Sequence, residues 1–288
     1  MWANYPSTLP FFERLWKQCR HGFWWLTQCL RYRRRPPVVQ VWPDMPSRRA
    51  ALYKITRSLG WELTNRKRSD AVLGIKFEDA THKDTAAIPA ALHAAAWWNL
   101  HCNDISKGTL EKAHQAAFGY GMRIDPTTHH GPLVVKSDEN AQHDGVLIQG
   151  PIVPDQVQEN VVYQREIDNR DENDEFFDYR VVYVRKDFPV VYKKYKAATR
   201  RFTNETVRVE LLADSPFSAA EEKCIHRLAQ GMNVDYAEFD ALRDRTTNQL
   251  YVVDVNPTPW GPPAQLALAS QGEAIARMAS SFQSSLQA

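Results

Sequence analysis

Near the C-terminal end of the sequence, LYVVDVNPTPWGPP (Leu250 to Pro263) interrupts an apolar run with Asp254 and Asn256. A half-buried strand disfavours such residues unless something compensates them. Positions i and i+2 of a strand point to one side, so this carboxylate and this amide share a face. Upstream, VDYAEFDALRD reads as a second strand, and RTTNQ as the turn that folds it back. Paired strands lie about 5 Å apart, which brings Asp240 against Asp254 and Asn256. Two converging carboxylates repel each other unless a cation sits between them. Oxygen-only ligands suit magnesium, which completes its shell with water and phosphate oxygens. Glu238 shares the face of Asp240, as a further ligand or a base. The competing reading gives Asn256 a structural task, capping a turn before Pro257.

The elements that must position these groups follow from pattern. VVQVWP (Val38 to Pro43) is a short strand, a helix from about Arg48 to Leu59 closes on Gly60, and WELTN and AVLGIKF (Ala71 to Phe77) are further strands. This alternation predicts a small parallel α/β unit. The alanine-rich stretch from Ala86 to Trp98 predicts a helix, and Ser106 caps another that turns Leu110, Ala113 and Ala117 inward. GPLVVK, GVLIQGP and VVYQREI read as strands, and the acidic segment Asp168 to Glu175 as an exposed loop. DYRVVYVRKDFPVVYKKY predicts a hairpin turning at KDFP. Ser218 to Met232 is a capped amphipathic helix, and Gln265 to Phe282 a helix packed on the surface.

FDALRD followed by LYVVDVNPTP resembles the signature of the ATP-grasp superfamily, an acidic strand paired with an acid-x-Asn strand and a proline-containing loop. NLHCNDISKGTLEKAHQAAFGYGMRIDPTT is similar to the approach to that superfamily's nucleotide site. GPLVVK resembles the strand ending in its nucleotide-binding lysine, VYQREID its hinge strand, and DYRVVYV the following strand with its arginine. These pieces keep the superfamily's order from about Val38 to Pro263. The resemblance implies an α/β fold: a small parallel pre-ATP-grasp domain followed by a two-lobed ATP-grasp domain with antiparallel sheets. Residues 1–37 form a basic amphipathic extension, 38–106 the first domain, and 107–288 the ATP-grasp domain, with 107–162 its small lobe and 163–288 its large lobe carrying the metal site.

Site roles follow from the same resemblance. Lys107 and Lys136 would contact ATP phosphates, and the backbone of Gln164, Arg165, Glu166 and Ile167 would hold adenine. Asp240, Asp254 and Asn256 would hold Mg²⁺, or Mn²⁺ in its place. Arg180, with Arg200 or Arg201, would steady the γ-phosphate or an acyl phosphate, because phosphoryl transfer depends on positioning and charge. Glu238 would deprotonate the attacking group. Beside these roles stand plainer ones: Lys136 as an edge-strand lysine, and Arg180 as the ion-pair partner of Asp178 or Glu166. The loop after Lys136, SDENAQHDG, has one glycine where many relatives are glycine-rich.

The activity implied is an Mg·ATP-dependent carboxylate–amine ligase that activates a carboxylate as its acyl phosphate. Its substrate would be a small molecule or a peptide- or glycan-linked carboxylate. The alternatives are a nucleotide-binding scaffold without turnover and a kinase-type transfer to a hydroxyl.

Net charge is +2, too small for nucleic acid to be the expected partner. YKKYKAATRRF (Tyr192 to Phe202) reads as a solvated basic loop beside an anionic substrate. The loop histidines His129, His130 and His143 lack zinc-ligand spacing. Four cysteines without a CxxC spacing suit a reducing compartment, the cytoplasm, and no apolar run reaches about 18 residues. In the segment from Phe11 to Arg35, Phe12, Leu15, Trp16, Cys19, Phe23, Leu26 and Leu30 share a helical face. That face packs on the main domain or makes peripheral contact with a membrane at the headgroup boundary.

Overall fold

The computed structural model describes residues 11–32, 36–84, 88, 92, 94–142, 144–200, 202 and 205–286. After helix α1 (Phe11–Tyr32), valines build the first sheet. β1 (Val38–Pro43) runs between β2 (Glu62–Thr64) and β3 (Ala71–Phe77), and β4 (Trp97–Trp98) adds beyond β3, all parallel. Val38, Val39 and Val41 are all buried, the continuous burial expected of a parallel strand covered on both faces. Helix α2 (Ala51–Leu59) ends where Gly60 adopts φ 72°, and its amide reaches the carbonyls of Arg57 and Thr56.

The alanine-rich stretch departs from the expected helix. Among its described residues, Ala94 bridges to Ala71, and Trp97 and Trp98 pair with Gly74 and Ile75. The Trp97 ring covers Gly74 so closely that a Cβ there would come within 2.4 Å of it. Trp98 is buried against Phe282 with ring centroids 5.0 Å apart. Burying an indole outweighs alanine's helix preference of a few tenths of a kcal/mol per residue, about 0.5 at most.

Two antiparallel sheets follow helix α3 (Lys107–Phe118), whose Ser106 cap accepts from the Thr109 amide. β5 (Gly131–Ser137) is the centre of a three-stranded sheet between β6 (Val146–Gly150) and β7 (Val161–Arg165). The edge-strand reading of Lys136 therefore falls, since β5 is paired on both sides. The larger sheet comprises β8 (Phe176–Val184), β9 (Asp187–Lys196), β10 (Arg208–Leu211), β11 (Tyr236–Arg243) and β12 (Leu250–Asn256), in the order β10-β9-β8-β11-β12. The β8–β9 turn falls at Arg185, φ 58°, earlier than KDFP, and Phe188 and Pro189 sit at a register shift inside β9. Proline tolerates such an irregular position because no ladder amide is needed there. Tyr192, Lys194 and Tyr195 are buried in β9, so the basic segment begins as strand, not as a solvated loop.

Alternation along β8 divides two cores. Val182 and Val184 join α2, the parallel sheet and helix α5 (Leu268–Ser285), whereas Val181 and Tyr183 join α3 and helix α4 (Ala219–Gly231). The α4 N-terminus carries a reciprocal capping box between Ser218 and Glu221. The C-terminal helix α5 is more than a surface cover, because Ala274, Met278 and Phe282 are fully buried. The acidic loop is also partly interior. Asn169 Nδ2 donates to the Phe177 carbonyl at 2.7 Å and to Asp178 Oδ1 at 3.1 Å, and Asp171 accepts from Lys193 at 3.2 Å.

Helix α1 is attached by its less apolar side. The Arg57 guanidinium lies 3.9 Å from the Trp24 ring centroid, while Phe12, Trp16 and Phe23 are 81%, 64% and 71% exposed. The packing of this stripe on the main domain, one of the two sequence expectations, is not what the structure has.

Candidate active site

Register on β11 assembles the acidic face. Asp240 stands opposite Asp254 of β12 and opposite Arg180 of β8, and Glu238 stands opposite Asn256. A register shift follows Asp240, and such bulges re-aim neighbouring side chains. Arg180 donates from Nε to Asp240 Oδ1 at 2.9 Å and from Nη2 to Oδ2 at 3.1 Å. Its Nη1 lies 3.7 Å from Glu238 Oε2. Arg180 thus pairs with Asp240 rather than with Asp178 or Glu166. Asp178 instead meets Lys196 Nζ at 2.6 Å.

Charge is unequally compensated across this group. Burial alone would raise Asp240, but the Arg180 guanidinium overrides it and holds the carboxyl well below its usual range. Asp254 is pushed up to about 6 by burial and then by Asp240. Glu238 is pushed up to about 7 by burial, against the pull of Arg180. Its Oε2 is buried without a hydrogen-bond partner, as are the hydroxyls of Tyr192 and Tyr236. Asn256 Oδ1 accepts from the Thr258 amide at 2.9 Å and the Thr258 hydroxyl at 3.0 Å, so it does serve as a turn cap. Among the described residues no three His, Cys, Asp or Glu side chains cluster as a metal-holding group.

Two cavities meet at the paired aspartates. The first, about 160 Å³, is lined by Lys107, Lys136, Gln164, Arg165 and Ile167, with Val134, Leu242 and Val253 as apolar walls. The second, about 790 Å³, is lined by Arg49, Lys54, Arg180, Lys194, Glu238 and Trp260. Asp240 and Asp254 line both. Glu166 lies apart, in a separate hollow with His129, Asp168 and Arg170. Lys136 is lowered to about 8 by burial and then by Lys107. Lys107 donates from Nζ to the Glu139 carbonyl, and Asp138 Oδ1 accepts from the Gly108 amide at 2.7 Å. Arg200 ends a 3-10 turn, Ala198–Arg200, and Arg201 and His143 lie outside the described residues.

No protein-family model matches the sequence, and no curated protein matches it. Solved structures do. The ATP-grasp ligase PsnB complexed with a minimal precursor superposes with a TM-score of 0.56 at 12% identity, covering 86% of this chain and 99% of that one. The chain has the ATP-grasp fold. D-cycloserine synthetase DcsG is equally similar, with a TM-score of 0.56, 12% identity, and coverage of 86% and 99%. A RimK domain ATP-grasp protein from Sphaerobacter thermophilus gives 0.50 at 14% identity, covering 85% and 98%. PsnB is also known complexed with its minimal precursor, Mg and ADP.

Within this ATP-grasp frame, several site-lining residues were not singled out individually from the sequence, although Lys194 and Lys196 lie in the basic segment expected beside the substrate. Lys194 and Lys196 carried a signal, since their spacing repeats that of Asp178 and Arg180 on the partner strand: Asp178 pairs with Lys194 and Phe176 with Lys196. Arg49 and Lys54 carried none. They come from around α2, which reaches the site through the Ala50–Trp260 bridge and the 2.7 Å bond from Lys54 Nζ to the Gly261 carbonyl.

Proposed function

We propose that this protein is an Mg·ATP-dependent ligase that activates a carboxylate as an acyl phosphate for attack by an amine or another nucleophile. The observation that carries the reading is the position of Asp240 and Asp254, which line a cavity with three lysines and Arg165 on one side and a larger cavity with four cationic side chains on the other. A nucleotide entering the first would direct its terminal phosphate toward a substrate in the second. In this reading residues 107–162 and 163–288 are the lobes that clasp the nucleotide, with adenine against the Gln164–Ile167 segment.

The donor set fits a hard divalent ion. Asp254 accepts no hydrogen bond among the described residues, and burial and then Asp240 raise its affinity for a proton, both of which a bound cation would offset. Asp254, Asp240 and the Asn256 amide would hold the ion, with water and phosphate oxygens completing its shell. Mg²⁺ bound there would neutralise charge on the phosphates of ATP. Lys136 and Lys107 would orient those phosphates, and Arg180 would bind the acyl phosphate once it exchanges Asp240 for it. Glu238, buried and pushed up to about 7, would in its ionised form accept a proton from the attacking group. The carboxylate substrate would be a small molecule or linked to a peptide or glycan; PsnB, of the same fold, is known complexed with a precursor peptide.

A second reading rests on Lys107 and Asp138. The lysine is bonded to the Glu139 carbonyl and the α3 N-terminal amide of Gly108 to Asp138, groups a phosphate would otherwise engage. A protein held in this state would bind nucleotide without consuming it. Both readings are tested by the thermal midpoint with and without Mg·ATP, in the wild type and in Asp254→Ala with Asn256→Ala. Ligand at 100 times its dissociation constant stabilises by about 2.7 kcal/mol. A magnesium-dependent rise lost in the double variant, followed by ADP release with a panel of carboxylates and amines, supports the ligase. A rise without ADP release supports the second reading, and no rise in a folded wild type refutes both.

A further inference from the structure

Helix α1 is mounted with its apolar side outward. Phe12, Leu15, Trp16, Phe23, Leu26 and Leu30 are all exposed, and they recur at helical spacing along an element about 33 Å long. Scattered apolar residues on a surface need no explanation, but a continuous stripe does. The opposite side is the one tied down, with half-buried Trp24 against Arg57 of α2.

The same segment is strongly basic. Residues 11–35 carry six arginines and one lysine against the single acid Glu13. Removing these from the chain's 36 basic and 34 acidic residues leaves 29 against 33, so the rest of the protein is slightly acidic. Positive charge is therefore concentrated in the segment that carries the apolar stripe. No helix among the described residues is long and apolar enough to cross a membrane.

We propose that α1 docks the protein on an anionic lipid surface, lying in the headgroup plane with Trp16 and Phe23 inserted. A basic segment with an apolar face bearing tryptophan and phenylalanine is what such a surface retains. A second copy of this chain is a poorer occupant, because stripe-to-stripe pairing would bring two sets of seven basic residues together. Docking would hold the cleft of the ATP-grasp domain near the bilayer. It stands independently of the nucleotide reading.

The test is co-sedimentation of the full-length protein with phosphatidylcholine vesicles, with and without phosphatidylglycerol. The wild type should pellet with the anionic vesicles alone, and less so as salt screens the attraction. Trp16→Ser with Phe23→Ser should lower partitioning about tenfold or more without changing the thermal midpoint. Phe12→Ser with Leu30→Ser should act in the same direction, a check should the first pair disturb folding. Failure of the wild type to pellet with anionic vesicles, or equal pelleting by both variants, overturns the proposal. So does a concentration-dependent dimer that the variants dissolve, since a second copy would then cover the stripe.

Discussion

Arg180 and Asp240 face each other across β8 and β11 and are joined by two hydrogen bonds of 2.9 and 3.1 Å. The guanidinium also stands 3.7 Å from Glu238, so one cation lies between the half-buried Asp240 and the buried Glu238. Removing it takes both hydrogen bonds from Asp240 and leaves the two carboxylates only the more distant Lys194 and Lys196. Arg180→Ala should cost about 2–3 kcal/mol of stability at neutral pH, below the range for a fully buried pair because the two side chains are 23% and 19% exposed. Adding Asp240→Leu should recover part of that loss. Urea denaturation of the two single variants and the double variant measures the coupling. Equal losses in Arg180→Ala with and without Asp240 would mean that the pair is not what the arginine serves.

Glu238 makes a separate contribution that depends on pH. It holds its proton up to about 7 in the folded protein, against an ordinary 4.5. The folded state therefore binds more protons than the unfolded one between those values. Its contribution to stability is fully present below 4.5 and is lost as pH rises through 7, by about 3 kcal/mol. Glu238→Gln mimics the protonated side chain, so the variant should match the wild type near pH 4.5 and exceed its stability above pH 7. Parallel stability–pH curves for the two proteins would refute this assignment.

Much of this region was legible because it is local. Asp254 and Asn256 are two residues apart on one strand, and a short turn returns that strand to Asp240, so period-2 alternation alone brings the three together. The caps at Gly60, Ser106 and Ser218 were legible for the same reason, each depending on a few neighbouring residues. What was not legible depends on distant contacts. The Trp97–Trp98 strand exists because Gly74 and Phe282 make room for two indoles, and alanine content points the other way. The partner of Arg180 is 60 residues away in sequence, and the nearer acids Asp178 and Glu166 were the better guess from sequence. The outward face of α1 is the sharpest case. Helical periodicity identifies an apolar stripe but does not say whether protein covers it.

Lys136 connects the proposed nucleotide site to a measurable proton. Burial and then Lys107 lower it to about 8, so the free protein carries this charge only in part at mildly alkaline pH. An anion binds the protonated form, which means that ATP affinity should fall as pH rises through 8. Binding near that pH should take up a proton, seen as a calorimetric enthalpy that varies with the buffer's ionisation heat. Lys136→Met should weaken ATP binding by about tenfold or more, the effect of a lost charge-assisted contact, and remove the buffer dependence. Unchanged affinity in a folded Lys136→Met protein would move the phosphates elsewhere.

His114 tests the interior of α3 away from the cleft. Its ring is stacked on Phe118 at 4.3 Å and on Tyr251 at 5.8 Å, nearly parallel to both. Nδ1 donates to the Tyr120 carbonyl at 3.0 Å, and Nε2 is buried with no partner. That arrangement suits the neutral ring, and burial lowers its proton affinity below the ordinary 6.5. The unfolded chain then binds the proton first as pH falls. The histidine's contribution to stability is present above 6.5 and is lost progressively below it. His114→Phe keeps the stack and has no proton to gain, so the part of the acid destabilisation due to this ring should disappear. The substitution also forfeits the bond to Tyr120, a loss of about 1 kcal/mol that should be the same at every pH. Urea midpoints for both proteins from about pH 5 to 8 separate the two effects. A constant offset between the curves would leave only the hydrogen bond, and curves that converge toward low pH would show the buried neutral ring.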